Sequence, residues 1–324
     1  MAVLRLAELE PVVERTVVIN VGTDVVATRA LLSALTHAGA PVLLVNCDPT
    51  HASRAHFDRF AVDYGIDVVE APLRLHGEAL DQLFVELRDD RLLLLDSDAE
   101  IRSADLVPWM RTKVAHPEAF GAGFTWGPFL VGPEWGAPPG ADILYMERPW
   151  MPCVMFDRSV VAEAIVQGHS FNAAWLGNEV VDHDHLSRFL GARWGPPWGT
   201  RSRTWDLLPA PVRRRLAGRR LDRLRRLRHP RYGVLRPHLV HYDTGGLLYE
   251  HLRFTRGLQF ASTPIEVHDG EVHHYLGVTR STMAGTHVAE TSPAAVEDEV
   301  IGWMAERYGY EMAAPGSGSP GAGD

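Results

Sequence analysis

The sequence predicts an α/β protein built on a mostly parallel sheet with helices on both faces. Three observations support this fold class. Apolar, β-branched segments alternate with helical segments over the first hundred residues, the links between them are short, and polar clusters follow the strands. In such sheets ligands bind at the carboxyl ends of the strands, so these clusters are the first candidates for a site.

The first strand-helix unit occupies residues 17–37. Residues 17–21 (VVINV) form a short β-branched run, which predicts a strand. The turn 22–24 follows, and Asp24 is a suitable N-cap for a helix from about residue 25 to 37. Gly39 lies where the end of a helix favours glycine.

Two further units repeat this pattern. A second strand within residues 41–50 ends at 46–48, and the helix after it ends at Gly65. A third strand at residues 66–72 precedes a helix at 76–87.

The fourth strand, residues 92–95, runs directly into Asp96-Ser97-Asp98. Asp and Ser are common in turns because their side chains bond nearby backbone, and this is the ordinary interpretation of such a triplet. At the carboxyl end of a buried parallel strand, however, two carboxylates indicate a cofactor or metal site.

Composition excludes several protein classes. The net charge of −9 argues against general nucleic-acid binding, and no apolar run is long enough for a membrane span. The two cysteines form no disulfide framework, and the first residues do not read as a signal peptide. We therefore expect a cytoplasmic protein.

The order of these motifs resembles that of bacterial GT-A-type glycosyltransferases of the family 2-like kind. VVINVGTD, VLLVNCDPT, LRLHGEALDQLF and LLLLDSDAEI stand where that family has its nucleotide-holding segments and its D-x-D motif. The resemblance implies a nucleotide-sugar donor, an acceptor that is a small molecule, a saccharide or a lipid-linked molecule, and Mn²⁺ or Mg²⁺. The residues that it assigns to the nucleotide sugar are Val21, Gly22, Thr23, Asn46, Asp48, His76, Gly77, Asp96 and Ser97.

The resemblance also assigns the metal and the catalytic base. It places the metal on Asp96, Asp98 and His274, the last from the segment VHHYLGVTRST. Asp243, in HYDTGG, becomes the general base of an inverting transfer, although it could also cap the apolar helix after it. Asp182 or Asp184 is the rival base.

The aromatic loop at 121–152 is the candidate acceptor site. Trp126, Trp135 and Trp150 could stack on a sugar or another flat apolar ligand, or they could pack in the core. The resemblance divides the chain into a nucleotide-sugar-binding half (1–120) and an acceptor-binding half (121–290). A C-terminal helix (291–312) and a disordered tail (313–324) follow.

An arginine-rich insert is predicted at about 186–231. The simplest interpretation is a solvated helix, and the alternatives are contact with an anionic membrane surface or with an acidic partner.

Other function classes fit less well. In haloacid-dehalogenase-like phosphatases Thr or Val stands where Glu100 stands here, and the motif lies on the first strand rather than the fourth. A sugar nucleotidyltransferase would need a more glycine-rich first turn than residues 22–24, and it remains an alternative, as does a non-catalytic nucleotide or sugar binder. His183 and His185 could form a separate metal site with their aspartate neighbours, although helical spacing would scatter them.

Overall fold

The computed structural model describes residues 5–21, 24–48, 51, 53–131, 143–177, 228–229, 233–234, 239–263, 270–275 and 293–312. Several predicted features lie outside these ranges. They are Gly22, Thr23, Trp135, residues 182–185 with both candidate bases and both histidines, nearly all of the arginine-rich insert and the tail at 313–324. None of the described helices has both the length and the apolar composition that crossing a bilayer requires.

Fifteen strands are described. They are β1 (Glu14–Asn20), β2 (Val42–Asn46), β3 (Asp67–Glu70), β4 (Arg91–Asp96), β5 (Ala99–Ile101), β6 (Ala119–Trp126), β7 (Phe129–Val131), β8 (Ile143–Tyr145), β9 (Arg148–Asp157), β10 (Ala174–Gly177), β11 (Arg228–His229), β12 (Gly233–Val234), β13 (Leu239–Tyr242), β14 (Gln259–Ser262) and β15 (Val272–His274).

The described helices lie between and after these strands. They are α1 (Asp24–His37), α2 (Arg54–Tyr64), α3 (His76–Glu86), α4 (Leu106–Val114), α5 (Arg158–Val166), α6 (Gly246–Glu250) and α7 (Pro293–Tyr308), with a 3-10 turn at Leu6–Glu8 and a π-helical turn at His251–Thr255. The predicted alternation along the first hundred residues is confirmed. Gly65 ends α2 in the left-handed conformation (φ 68°), as its position predicted.

The central sheet has seven strands in the order β14-β6-β9-β4-β1-β2-β3. All of its strands are parallel to their neighbours except β9, which runs antiparallel to β4 and β6. Three small sheets accompany it, with the orders β10-β13-β8-β7, β11-β12 and β15-β5. The mostly parallel α/β architecture predicted from the sequence is therefore confirmed.

Strand β4 shows why the sheet has a core on each face. Successive side chains of a strand point to opposite faces. Leu93 and Leu95 pack with α1, α4 and α7, whereas Leu92 and Leu94 pack with α3 and α5. The continuous apolar run before the two aspartates is thus the signature of a strand buried on both faces.

Strand β9 extends past the end of β4. Its pairing with β4 runs from Arg91 opposite Asp157 to Leu95 opposite Cys153, so the residues before Cys153 overhang the carboxyl end of β4. Because β9 is antiparallel, its first residues, among them Arg148 and Trp150, lie at the edge where the parallel strands end.

A buried carboxylate joins α3 to the segment after α5. Asp81 accepts hydrogen bonds from the Ser170 hydroxyl and from the Phe171 N–H, the latter at 2.9 Å. Burial is the main cause of a rise in the pKa of Asp81 to about 6. The folded protein therefore holds the Asp81 proton up to a higher pH than the unfolded chain does, so ionisation of Asp81 favours unfolding.

This linkage predicts a pH dependence of stability. Since an unfolded Asp titrates near 3.9, the Asp81 contribution to folding should decrease as pH rises from about 4 to 6, by up to about 3 kcal/mol, and stay constant above. Asp81→Asn should remove this component. Melting temperatures of both proteins at pH 5 and 7.5 test it, and an equal shift of both between the two pH values would contradict the assignment.

Candidate metal and transfer site

Three potential metal ligands meet at the carboxyl edge of the sheet. One ligand atom each from Asp96, Asp98 and His274 lie within 4.8 Å of one another. Asp96 ends β4 and His274 ends β15, which pairs antiparallel with β5 directly after Asp98. The backbone N–H of Tyr275 donates to the Asp98 carbonyl at 2.9 Å and extends that ladder. The fold therefore brings together the residues assigned to the metal, which are far apart in sequence.

The electrostatics of this group are coupled. His274 Nε2 lies 3.1 Å from Asp98 Oδ1. Burial lowers the pKa of His274, but the hydrogen bond and charge of Asp98, together with the charge of Asp96, outweigh it and raise the pKa above its usual value. Burial is also the main cause of the raised pKa of Asp96; Asp98 adds to it, while His76 and Arg148 oppose it.

The donor set fits a divalent cation. Carboxylate oxygens with one imidazole nitrogen suit Mn²⁺, and carboxylates suit Mg²⁺. His274 Nδ1 is buried and has no hydrogen-bond partner among the described residues. Two carboxylates held this close repel each other, and a cation between them would relieve the repulsion.

Asp243 is paired with an arginine that the sequence motifs did not single out. Arg148 Nη2 donates to Asp243 Oδ2 at 2.7 Å, and Arg148 Nη1 donates to the Pro149 carbonyl at 2.9 Å. Burial raises the pKa of Asp243, but Arg148, His241 and the Thr244 N–H outweigh it and lower it. Asp243 is therefore ionised at neutral pH, and its side chain is 31% exposed.

The capping alternative for Asp243 is not seen. Helix α6 begins at Gly246, and its N-cap residue is Gly245. The Asp243 carboxylate instead accepts from the N–H of Thr244 at 2.8 Å and from Arg148. The positive charge of Arg148 also lowers the pKa of Asp96, although burial and Asp98 outweigh it.

Asn46 and Asp48 belong to a buried polar network at the ends of β1–β3. Asn46 is fully buried, accepts from Asn20 Nδ2 (2.9 Å) and donates to Glu70 Oε1 (3.0 Å). Asp48 Oδ2 accepts from both the N–H and the hydroxyl of Ser53. These side chains support the edge of the sheet from within, and their contact with a nucleotide stays a prediction.

His76 and Gly77 begin α3 beside the aspartates. His76 is exposed and lines a narrow cleft together with Asp96 and Met151. A Cβ at Gly77 would lie 2.6 Å from the backbone of Asn172, so this position requires glycine for packing. Val21 is half-buried and Ser97 is buried, and their role in binding also stays a prediction.

The two described tryptophans of the aromatic loop differ in burial: Trp150 follows the core-packing alternative, and acceptor binding by Trp126 stays a prediction. Trp150 is 6% exposed and packs edge-on against Phe124 (centroids 5.9 Å apart) and His274 (5.4 Å). Its ring therefore belongs to the core and supports His274, because the overhanging start of β9 is covered on this face. Trp126 is half-buried against the same core.

Comparison with known proteins gives limited similarity. No protein-family model and no curated protein matches the chain. Among solved structures, the apo-form glycosyltransferase GlyE of Streptococcus pneumoniae TIGR4 matches 47% of this chain and 36% of its own, with 15% identity and a TM-score of 0.32. An active-site mutant of LgtC matches 46% of this chain and 59% of its own, with 12% identity and a TM-score of 0.32. The chain thus spans less than two thirds of either structure.

Proposed function

We propose that the protein is a metal-dependent, inverting glycosyltransferase that moves a sugar from a nucleotide-sugar donor to an acceptor hydroxyl. The observation that carries this proposal is the grouping of Asp96, Asp98 and His274 at the carboxyl edge, together with the Arg148–Asp243 ion pair at the overhanging start of β9. This edge is where α/β sheets bind their ligands.

The three grouped side chains would hold Mn²⁺ or Mg²⁺. The ion would neutralise the donor's diphosphate and stabilise the departing nucleoside diphosphate. The Arg148 guanidinium, held in place by Asp243 and by the Pro149 carbonyl, adds a positive charge on the same edge.

Asp243 would act as the general base. Its carboxylate takes the proton of the acceptor hydroxyl while that oxygen forms a bond to the anomeric carbon. The bond from that carbon to the diphosphate oxygen breaks, and its electron pair leaves with the nucleoside diphosphate. A single displacement of this kind inverts the anomeric centre.

A thermal-shift panel tests the proposal. UDP-, GDP- and dTDP-sugars are screened with and without Mn²⁺, and one should raise the melting temperature only when Mn²⁺ is present. At a ligand concentration of 100 Kd, binding stabilises the native state by about 2.7 kcal/mol. Asp105→Asn, an exposed carboxylate outside the metal set, is the control and should behave like wild type. No Mn²⁺-dependent shift with any donor would contradict the proposal.

A further inference from the structure

A buried carboxylate lies on the strand that follows the D-x-D motif. Glu100 is fully buried, and its Oε1 accepts from Arg307 Nη1 at 3.0 Å and from the Tyr308 hydroxyl at 2.9 Å. Its Oε2 lies 3.2 Å from Arg102 Nε and 3.2 Å from Arg29 Nη2. We call these five residues the Glu100 cluster.

The cluster joins distant parts of the chain. Arg29 comes from α1, Arg102 follows β5, and Arg307 comes from the last turn of α7. The ring of Trp303, also in α7, lies 5.1 to 5.9 Å from all three guanidinium groups, within the range of cation–π attraction. The C-terminal helix is therefore attached to β5 by charge and by aromatic contact.

The β5–β15 ladder contains Glu100, and it also positions two of the candidate metal ligands, Asp98 directly before β5 and His274 at the end of β15. Glu100 pairs with His273 across the ladder, and Ala99 pairs with His274. The ring of His273 lies against Tyr275 and Trp303, whereas His274 contacts Asp98. Fixing Glu100 thus fixes both strands whose ends hold Asp98 and His274.

A second contact ties α7 to the other strand of this ladder. The Tyr275 hydroxyl donates to Glu299 Oε1 at 3.1 Å, and Arg29 lies 4.4 Å from the Tyr275 ring. Helix α7 consequently contacts the residue after β5 and the residue after β15. A displacement of α7 would therefore shift both β5 and β15, the two strands next to Asp98 and His274.

We propose that the Glu100 cluster is a positioning device for the metal site, so that the docking of α7 sets the affinity for the cation. The inference rests on the proposed function, because it presupposes that Asp96, Asp98 and His274 hold a metal. None of the cluster residues needs to touch the metal or the substrate. Groups that hydrogen-bond to metal ligands typically change metal affinity by about 10- to 100-fold when they are removed, and the cluster acts one step further out, through the backbone of β5 and β15, so we expect the lower end of that range.

Arg307 gives the cleanest test because it is the most exposed arginine of the cluster, with 45% of its side chain accessible. Arg307→Gln removes one cation from Glu100 without opening the core, and Arg307→Lys keeps the charge. The matched control is Glu306→Gln, its exposed neighbour on the same helix. Mn²⁺ affinity is measured on the full-length protein without nucleotide, by electron paramagnetic resonance of the free ion, well below the melting temperature.

We expect Arg307→Gln to weaken Mn²⁺ binding about tenfold. Arg307→Lys should recover part of the loss, and Glu306→Gln should match wild type. Wild-type affinity in a folded Arg307→Gln protein would overturn the inference, as would an equal loss in Glu306→Gln. If Arg307→Gln does not melt cooperatively, Tyr308→Phe, which removes one hydrogen bond and no charge, decides the question by the same comparison.

The two proposals fail differently. A wild-type protein that binds no Mn²⁺ at all would overturn the proposed metal site and, with it, the role of the cluster. A wild-type protein that binds Mn²⁺ as tightly as its folded cluster variants would leave the metal site standing and overturn the positioning role alone.

Discussion

Asp98→Asn is expected to lower glycosyl transfer by about 10²- to 10³-fold. A metal acting on a departing phosphate oxygen supplies several kcal/mol of transition-state stabilisation, and each 1.36 kcal/mol corresponds to a factor of about ten in rate. Asp98 is 5% exposed and lies at the end of the sheet rather than in its core. The amide has the same shape, and the backbone bond from Tyr275 to the Asp98 carbonyl stays in place.

Initial rates with the donor found in the thermal-shift panel, measured with saturating Mn²⁺, check this expectation. Asp105→Asn serves again as the control, and the melting temperature of Asp98→Asn should stay close to that of wild type. Full activity of Asp98→Asn, or wild-type activity that persists in EDTA, would be incompatible with a metal-dependent enzyme.

Asp243→Asn is expected to lower turnover by about 10²- to 10⁴-fold while donor binding stays near normal. A positioned base typically contributes that factor, and the amide cannot take up a proton. The change also removes the negative charge opposite Arg148, whose side chain is 15% exposed. Since Asp243 does not cap α6, the stability cost comes from this ion pair, and we expect about 1 to 2 kcal/mol.

Three variants compared side by side decide which carboxylate is the base. Asp182→Asn and Asp184→Asn, in the part of the chain outside the described residues, should be much milder than Asp243→Asn. If Asp184→Asn were inactive and Asp243→Asn active, the general base would have to be assigned to residues 182–184 instead. Normal turnover in all three would remove the catalytic assignment and leave a nucleotide-binding protein.

The sequence predicted the sheet well because its signals are local. Leu92–Leu95 is apolar on both faces, and strands of this kind alternate with helices of ordinary length, so the parallel arrangement follows from short-range patterns. The antiparallel direction of β9 was not predicted, because the direction of a strand depends on the path of the chain through residues 121–152.

The candidate site was only partly predictable for the same reason. The two aspartates after β4 could be predicted from the strand pattern. Arg148 lies in no recognisable motif, and its role depends on an ion pair with Asp243, 95 residues away in sequence. Trp150 shows the opposite case. Its residue type left both a stacking surface and core packing open, and the contacts with Phe124 and His274, which are distant along the chain, select core packing.

The length of the β9 overhang beyond β4 sets how far Arg148 lies from the end of β4. Each strand residue advances the chain by about 3.3 Å, so removing two residues from β9 would withdraw Arg148 by about 7 Å while every remaining side chain kept its face. Removing one would instead turn the remaining side chains to the opposite face. The length of β9, and not only its composition, therefore determines whether Arg148 reaches the edge of the central sheet where β4 ends.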